Sequence, residues 1–273
     1  MNREYETAQV EDRGDGLLLL TLNRPQAANA MNTQMGRDLL AFFDTVNAAP
    51  GEQRCVIVTG AGERAFCTGG DVSGTGGDAE HRRRVNTSPL GHGREMRDGM
   101  QAVLALLKRI DKPSVAMIQG YAVAGGLALA LACDFRFAGP DAKLGDTSGR
   151  FGLLPDEGGA WLFPHVMGYD RALKMTLLHE IYPAPEAYRL GLLTELVEGD
   201  LEARTLAFAE ALAAQAPLAV RMVKTMMTRA LEGSFESSLG DAQLAVMITN
   251  PSADVREGGA AFREKRAPRF EGR

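Results

Sequence analysis

Apolar residues in the first two-thirds of the chain alternate between short unbroken runs and helically spaced sets. "GLLLLTLNRP" is an apolar run stopped by Asn-Arg-Pro and predicts a strand. "MNTQMGRDLLAFFDTVNAA" sets Met35, Leu39, Phe42, Phe43 and Val46 at helical spacing. "RCVIVTGAG" is a β-branched run ended by glycines, hence a strand. Further on, "MQAVLALLKRI" predicts a helix, "PSVAMIQG" a strand, "GGLALALACD" a helix and "FRFAG" a strand. This β-α-β order predicts parallel strands joined by crossover helices. After about residue 168 the strands are expected to stop. "DRALKMTLLHE", "PEAYRLGLL", "LEARTLAFAEALAAQ", "PLAVRMVKTMMTRAL" and "SFESSLGDAQLAVMI" are all helix-like, with Pro185 and Pro217 where helices begin.

Two stretches interrupt this rhythm. Ser114 to Cys133 is nearly uncharged and about as long as a membrane span. Gly120, Gly125 and Gly126 break it, however, so a buried strand, a glycine turn and a buried helix fit better. Ser73 to Gly99 is rich in glycine, charge and hydroxyls and reads as one long surface loop, either a solvated insertion or a functional segment. Its Arg82, Arg83 and Arg84 read as a solvated run rather than a phosphate clamp.

Composition narrows the function. The 273 residues carry a net charge of −5, which argues against nucleic acid or an anionic membrane as partner. The three cysteines, Cys55, Cys67 and Cys133, lack metal-type spacing and suggest a reducing compartment. His81, His92, His165 and His179 form no HxH or HxxxH pair, so no metal site is expected. The opening "MNREYETAQVEDRGDG" is polar and acidic, unlike a signal peptide, and a cytoplasmic location is the expectation.

The candidate chemistry lies in two glycine turns and one acidic pair. "RAFCTGGDV" and "GYAVAGGLALALACD" each place glycines where backbone N–H groups approach a ligand closely. In the second turn those N–H groups open a buried helix, whose dipole favours negative charge. Two N–H groups aimed at one point make an oxyanion hole, although ordinary βα turns carry glycines for packing alone. "FGLLPDEGGAWLF" sets Asp156 and Glu157 among large apolar residues. Asp156 reads either as the cap of a helix starting near Gly158 or as a carboxylate facing a buried substrate. Glu157 reads as an exposed first-turn acid and ranks second as a base.

Five segments in order, "NRPQAANAMN", "AFCTGGD", "IQGYAVAGGLALALACD", "GLLPDEGGAWLFP" and "EGGAAFREKRAPRF", resemble the crotonase superfamily, the enoyl-CoA hydratase/isomerase family. The resemblance covers about residue 5 to residue 270. It implies an α/β fold, a spiral of β-β-α units over residues 1–200, with a C-terminal helical trimerisation region over 201–273. It implies an acyl-CoA thioester as ligand, no separate cofactor because coenzyme A is part of the substrate, and a homotrimer or dimer of trimers. The thioester oxygen would accept from the N–H groups of Gly70 and Gly125. Ala28, Ala30, Ala65, Asp71, Val72 and Ser73 would line the coenzyme site. Phe262 and Lys265 would touch the nucleotide, with their helix supplied by a neighbouring subunit or by the same chain.

The chain departs from the family's hydratases at both of their glutamates, where it has Ala128 and Ser148. Adding water needs two carboxylates, whereas moving a double bond needs one base, apolar walls and an oxyanion hole. The favoured reading is therefore an isomerase taking 3-enoyl-CoA to 2-enoyl-CoA, with Asp156 as proton shuttle. Its position matches the aspartate of some family isomerases, and Leu153, Leu154, Trp161 and Phe163 would supply the apolar walls. A hydratase or hydrolase remains open, with Asp156 or Asp146 activating a water held by Thr147 and Ser148. So does an acyl-CoA-binding protein without catalysis. His92 and Glu95 would contribute only if their loop folds over the site, and Cys67 reads as a small buried residue rather than a nucleophile.

Overall fold

The computed structural model describes residues 2–49, 53–72 and 89–273. A seven-stranded sheet and a four-stranded sheet organise the chain. The larger runs in the order β1 (Arg3–Glu4), β2 (Ala8–Asp12), β3 (Leu17–Leu22), β4 (Cys55–Gly60), β6 (Ser114–Ile118), β8 (Phe135–Ala138) and β11 (Glu195–Leu196). The smaller runs β10 (Ile181–Pro183), β9 (Lys143–Gly145), β7 (Tyr121–Val123) and β5 (Ala65–Cys67). From β3 onward the strands of the larger sheet are parallel, while β1, β2 and β3 pair antiparallel.

The helices are α1 (Thr33–Ala48), α2 (Pro89–Asp98), α3 (Met100–Arg109), α4 (Gly125–Ala132), α5 (Gly159–Met167), α6 (Tyr169–Leu178), α7 (Ala184–Arg189), α8 (Leu201–Ala213), α9 (Pro217–Ala230), α10 (Phe235–Thr249) and α11 (Ala253–Glu264). A repeat emerges from the order of these elements. β4 and β5, β6 and β7, and β8 and β9 each send one strand to the larger sheet and the next to the smaller, before helices carry the chain onward. Each pass places the next βα turn beside the last one, which brings the two glycine turns together.

Strand alternation divides the core between the two faces of the larger sheet. Leu18, Leu20, Leu22, Val56, Val58, Ala116 and Ile118 pack with α1, α3 and α4. Leu17, Leu19, Ile57, Val115, Met117 and Phe137 face Ala209 and Ala213 of α8. Every residue of β4 and β6 is buried, as expected of parallel strands covered on both sides. The uncharged stretch from Ser114 is strand, turn and buried helix. Among the described residues no single helix is long and apolar enough to cross a membrane.

Two expectations need correction. Strands do not stop at residue 168, because β10 pairs with β9 and β11 with β8. Both are short and take their extended form from pairing rather than from an apolar run. The segment 73–99 is not one loop, since Pro89–Asp98 is helical; residues 73–88 lie outside the described residues. The N-terminal segment holds β2, whose Ala8 and Val10 are buried while Gln9, Glu11 and Asp12 are exposed. The first helix after residue 200, α8, packs on β4 and β6.

Candidate active site

The first glycine turn follows β5. The Met31 N–H donates to Gly69 O at 2.8 Å and the Asp71 N–H donates to Met31 O at 3.0 Å, which pins Gly70 between them. Gly69 has φ +87°, and a Cβ there would lie 2.9 Å from Gly125 N, so the two turns are in direct contact. A Cβ on Gly70 would meet nothing within 4 Å, so that side of the turn is open.

The second turn follows β7. Ala124 adopts φ 51° and ψ −128°, a conformation costly for any residue with a Cβ, and its N–H donates to Gly145 O at 3.1 Å. Gly125 then opens α4, all eight residues of which are buried. The first N–H groups of a helix have no partner within it and carry its partial positive charge. Gly126 allows the helix to lie on β5, since a Cβ would stand 2.0 Å from the Cys67 carbonyl oxygen.

The acids do not sit as expected. Asp156 is exposed and caps no helix: α5 has Gly158 at its N-cap and no side-chain cap. Leu153 and Leu154, expected as its apolar walls, are 51% and 68% exposed. The Asp156 carbonyl accepts from Gln101 Nε2 at 2.7 Å, and partial burial raises the pKa of its carboxyl. Glu157 is no exposed first-turn acid. It is only 8% exposed, and its Oε1 lies 2.5 Å from the place a Cβ on Gly125 would take. Its Oε2 is buried without a hydrogen-bond partner. Burial pushes the Glu157 pKa up to about 7, against a hydrogen bond from its own backbone, and the carboxylates of Asp156 and Asp146 add to the rise. Glycine at 125 is the local reason: a residue with no side chain leaves the place the carboxyl fills.

Asp146, directly after β9, is fully buried. Its Oδ1 accepts the Ser148 N–H at 3.0 Å, while its Oδ2 has no partner. Ala128 and Ser148 are buried. Cys67 is fully buried and its thiol is pushed up to about 12 by that burial, so it is a packing residue. Cys55, Cys67 and Cys133 are all free thiols. His92 and Glu95 are exposed on α2. Among the described residues no group of three His, Cys, Asp or Glu is placed to hold a metal ion.

Ala28, Ala30 and Ala65 are buried and meet through Asn29, which sequence reasoning passed over. Its amide donates to Ala61 O at 3.0 Å and to Ala65 O at 2.8 Å, and its Oδ1 accepts the Arg24 N–H. Arg24 in turn holds Asp71 in an ion pair of 2.8 Å and donates to Ala30 O. The "NRPQAAN" run was the available signal: Asn29 stands at φ 54°, a conformation Asn tolerates better than most residues. Val72 is 57% exposed, and Ser73 lies outside the described residues. Phe262 is 86% exposed on α11, and Lys265 forms its left-handed C-cap. No hydrogen bond or ion pair among the described residues links either of them to the glycine turns.

A sequence model described as enoyl-CoA hydratase/isomerase matches residues 12–273. The chain is 35% identical to (E)-benzylidenesuccinyl-CoA hydratase of Thauera aromatica, over 93% of this chain and 94% of that one. It is 30% identical to 1,2-epoxyphenylacetyl-CoA isomerase of Escherichia coli, over 99% of both. The crystal structure of an enoyl-CoA hydratase from Bacillus anthracis superposes with a TM-score of 0.89 at 28% identity, covering 98% of this chain and 100% of that one. The fold thus has its counterpart in known proteins, and the chain belongs to the enoyl-CoA hydratase/isomerase family, acyl-CoA enzymes of the crotonase superfamily.

Proposed function

We propose that the protein shifts a double bond in an acyl-CoA thioester, from the 3-enoyl to the 2-enoyl position, with Glu157 as the group that carries the proton. The reading rests on the buried carboxyl of Glu157 against Gly125, in a chain with Ala128 and Ser148 at the two hydratase glutamates. Glu157 takes a proton from C2 of the thioester. The electron pair moves into a dienolate whose charge settles on the thioester oxygen, where the N–H groups of Gly70 and Gly125 hold it. Glu157 then returns the proton to C4, leaving the double bond between C2 and C3. A pKa of about 7 suits both steps, because the group is a competent base and a competent acid near neutrality. Asp156, the first candidate from sequence, becomes the second because it is exposed. The Arg24–Asp71 pair and the Ala28–Ala30 loop would shape the coenzyme end, with no separate cofactor.

The same reading assigns a homotrimer or dimer of trimers. Met227 on α9 and Phe235 and Met247 on α10 are 68%, 73% and 72% exposed, an apolar surface of the kind that subunit contacts cover. Phe262 and Lys265 would reach the nucleotide from a neighbouring subunit.

The test is a paired ultraviolet assay with 3-enoyl-CoA and 2-enoyl-CoA. Conjugated thioester absorbance should rise with the first, and the rise should vanish in Glu157→Gln while surviving in Asp156→Asn. A fall in absorbance with the second substrate and no rise with the first would instead mean hydration. The buried carboxylate of Asp146 is the observation that favours that second reading.

A further inference from the structure

One face of α3 runs along the turn that carries the two acids. Gln101, Leu104 and Lys108 recur at helical spacing and share that face. Each meets the segment from Asp156 to Trp161. Gln101 Nε2 donates to the Asp156 carbonyl at 2.7 Å. A Cβ on Gly158 would stand 3.8 Å from Leu104 Cδ2. Lys108 Nζ lies 5.0 Å from the centre of the Trp161 ring. The turn supplies no equivalent of the Gln101 bond itself. Gly158 stands at φ +130°, α5 has no side-chain cap, and no backbone N–H among the described residues donates to the Asp156 carbonyl.

That bond matters because of what lies on the other side of the same peptide. The Asp156–Glu157 peptide is trans and planar, so its C=O and N–H point in opposite directions. Holding the carbonyl toward α3 turns the Glu157 N–H away from α3. This N–H is the backbone group that hydrogen-bonds the Glu157 carboxyl, whose Oε1 sits beside Gly125. Leu104 and Lys108 touch residues further along and do not act on this plane.

We propose that Gln101 is a positioning residue for Glu157: through the carbonyl of Asp156 it fixes the peptide plane that keeps the Glu157 carboxyl against Gly125. The proposal rests on the reading of Glu157 as the proton carrier. Released from Gln101, the plane can tilt and let the carboxyl move from Gly125 toward water. The carboxyl is then misplaced for the carbons it serves, and it is a weaker base because less of its burial remains.

The test is Gln101→Met, which keeps the length of the side chain and removes the donor. Activity on 3-hexenoyl-CoA is followed against pH, alongside thermal melting. In the variant kcat should fall on the order of tenfold. The midpoint at which kcat/KM rises with pH, which reports the free enzyme's base, should drop by about half a pH unit or more. Lys108→Met loses the contact with Trp161 and should leave that midpoint in place. An unmoved midpoint in Gln101→Met overturns the proposal, whatever happens to melting. So does a midpoint that moves equally in Lys108→Met, because a general loosening of α3 would then be the cause. Glu157→Gln separates the proposal from the reading beneath it. If that variant stays active, Glu157 is not the proton carrier and both fall; if it is inactive while Gln101→Met behaves as the wild type, only the positioning role falls.

Discussion

Replacing Glu157 with Gln should make the protein more stable and far less active, and the gain should depend on pH. Burial moves the Glu157 carboxyl from 4.5 to about 7. At about 1.36 kcal/mol per pH unit, this difference is worth roughly 3 kcal/mol. Below about pH 4.5 the group is protonated in folded and unfolded chains alike, so it contributes nothing to the pH dependence. Between 4.5 and 7 the unfolded chain releases the proton and the folded chain keeps it, so stability falls as pH rises. Above 7 the folded protein holds a buried carboxylate and bears the whole penalty. Glutamine has the same shape and never ionises. Wild type and Glu157→Gln should therefore melt within about 2 °C of each other at pH 4, and about 6 °C apart at pH 8, at roughly 2 °C per kcal/mol for a chain this long. The assay is differential scanning calorimetry across that range at one fixed protein concentration, since any oligomer couples concentration to melting. Loss of the proton carrier should lower kcat by about 10²–10⁴. A stability gap that does not change with pH would refute the reasoning, because the carboxyl would then not be buried in its protonated form.

The kcat/KM of the wild type should rise with pH through about 7, since the ionised carboxylate is the base; a flat profile counts against Glu157. Asp156→Asn should change kcat by less than about fivefold, and a loss as large as that of Glu157→Gln would return the role to Asp156. Gly125→Ala puts a methyl 2.5 Å from a movable carboxyl oxygen, so urea titration should show a small stability change while activity collapses; Gly126→Ala puts one 2.0 Å from a backbone carbonyl and should cost about 3 kcal/mol or more. Met227→Asp with Phe235→Asp should shift the mass by light scattering to that of a monomer, and an unchanged mass would clear this surface of any role in assembly.

Much of this protein could be read from residue order alone. The buried strands, the amphipathic α1 and the glycine turns follow from periodicity and backbone permissiveness, which are local properties. Met35, Leu39, Phe42, Phe43 and Val46 are buried as their spacing requires. The ordered motifs resembled one family, and that family is the one the chain belongs to. The tertiary structure decided the rest. Asp156 and Glu157 are neighbours in one charged pair, and nothing local says which of them turns inward. Glu157 is buried because the absent side chain of Gly125, 32 positions earlier, leaves a place for its carboxyl. Asp146 gains its interest the same way, from Gly145 binding Ala124 across the smaller sheet. Sequence pattern reports which faces prefer to leave water. It does not report which turn another turn will touch, and in this fold the candidate chemistry is made at that contact.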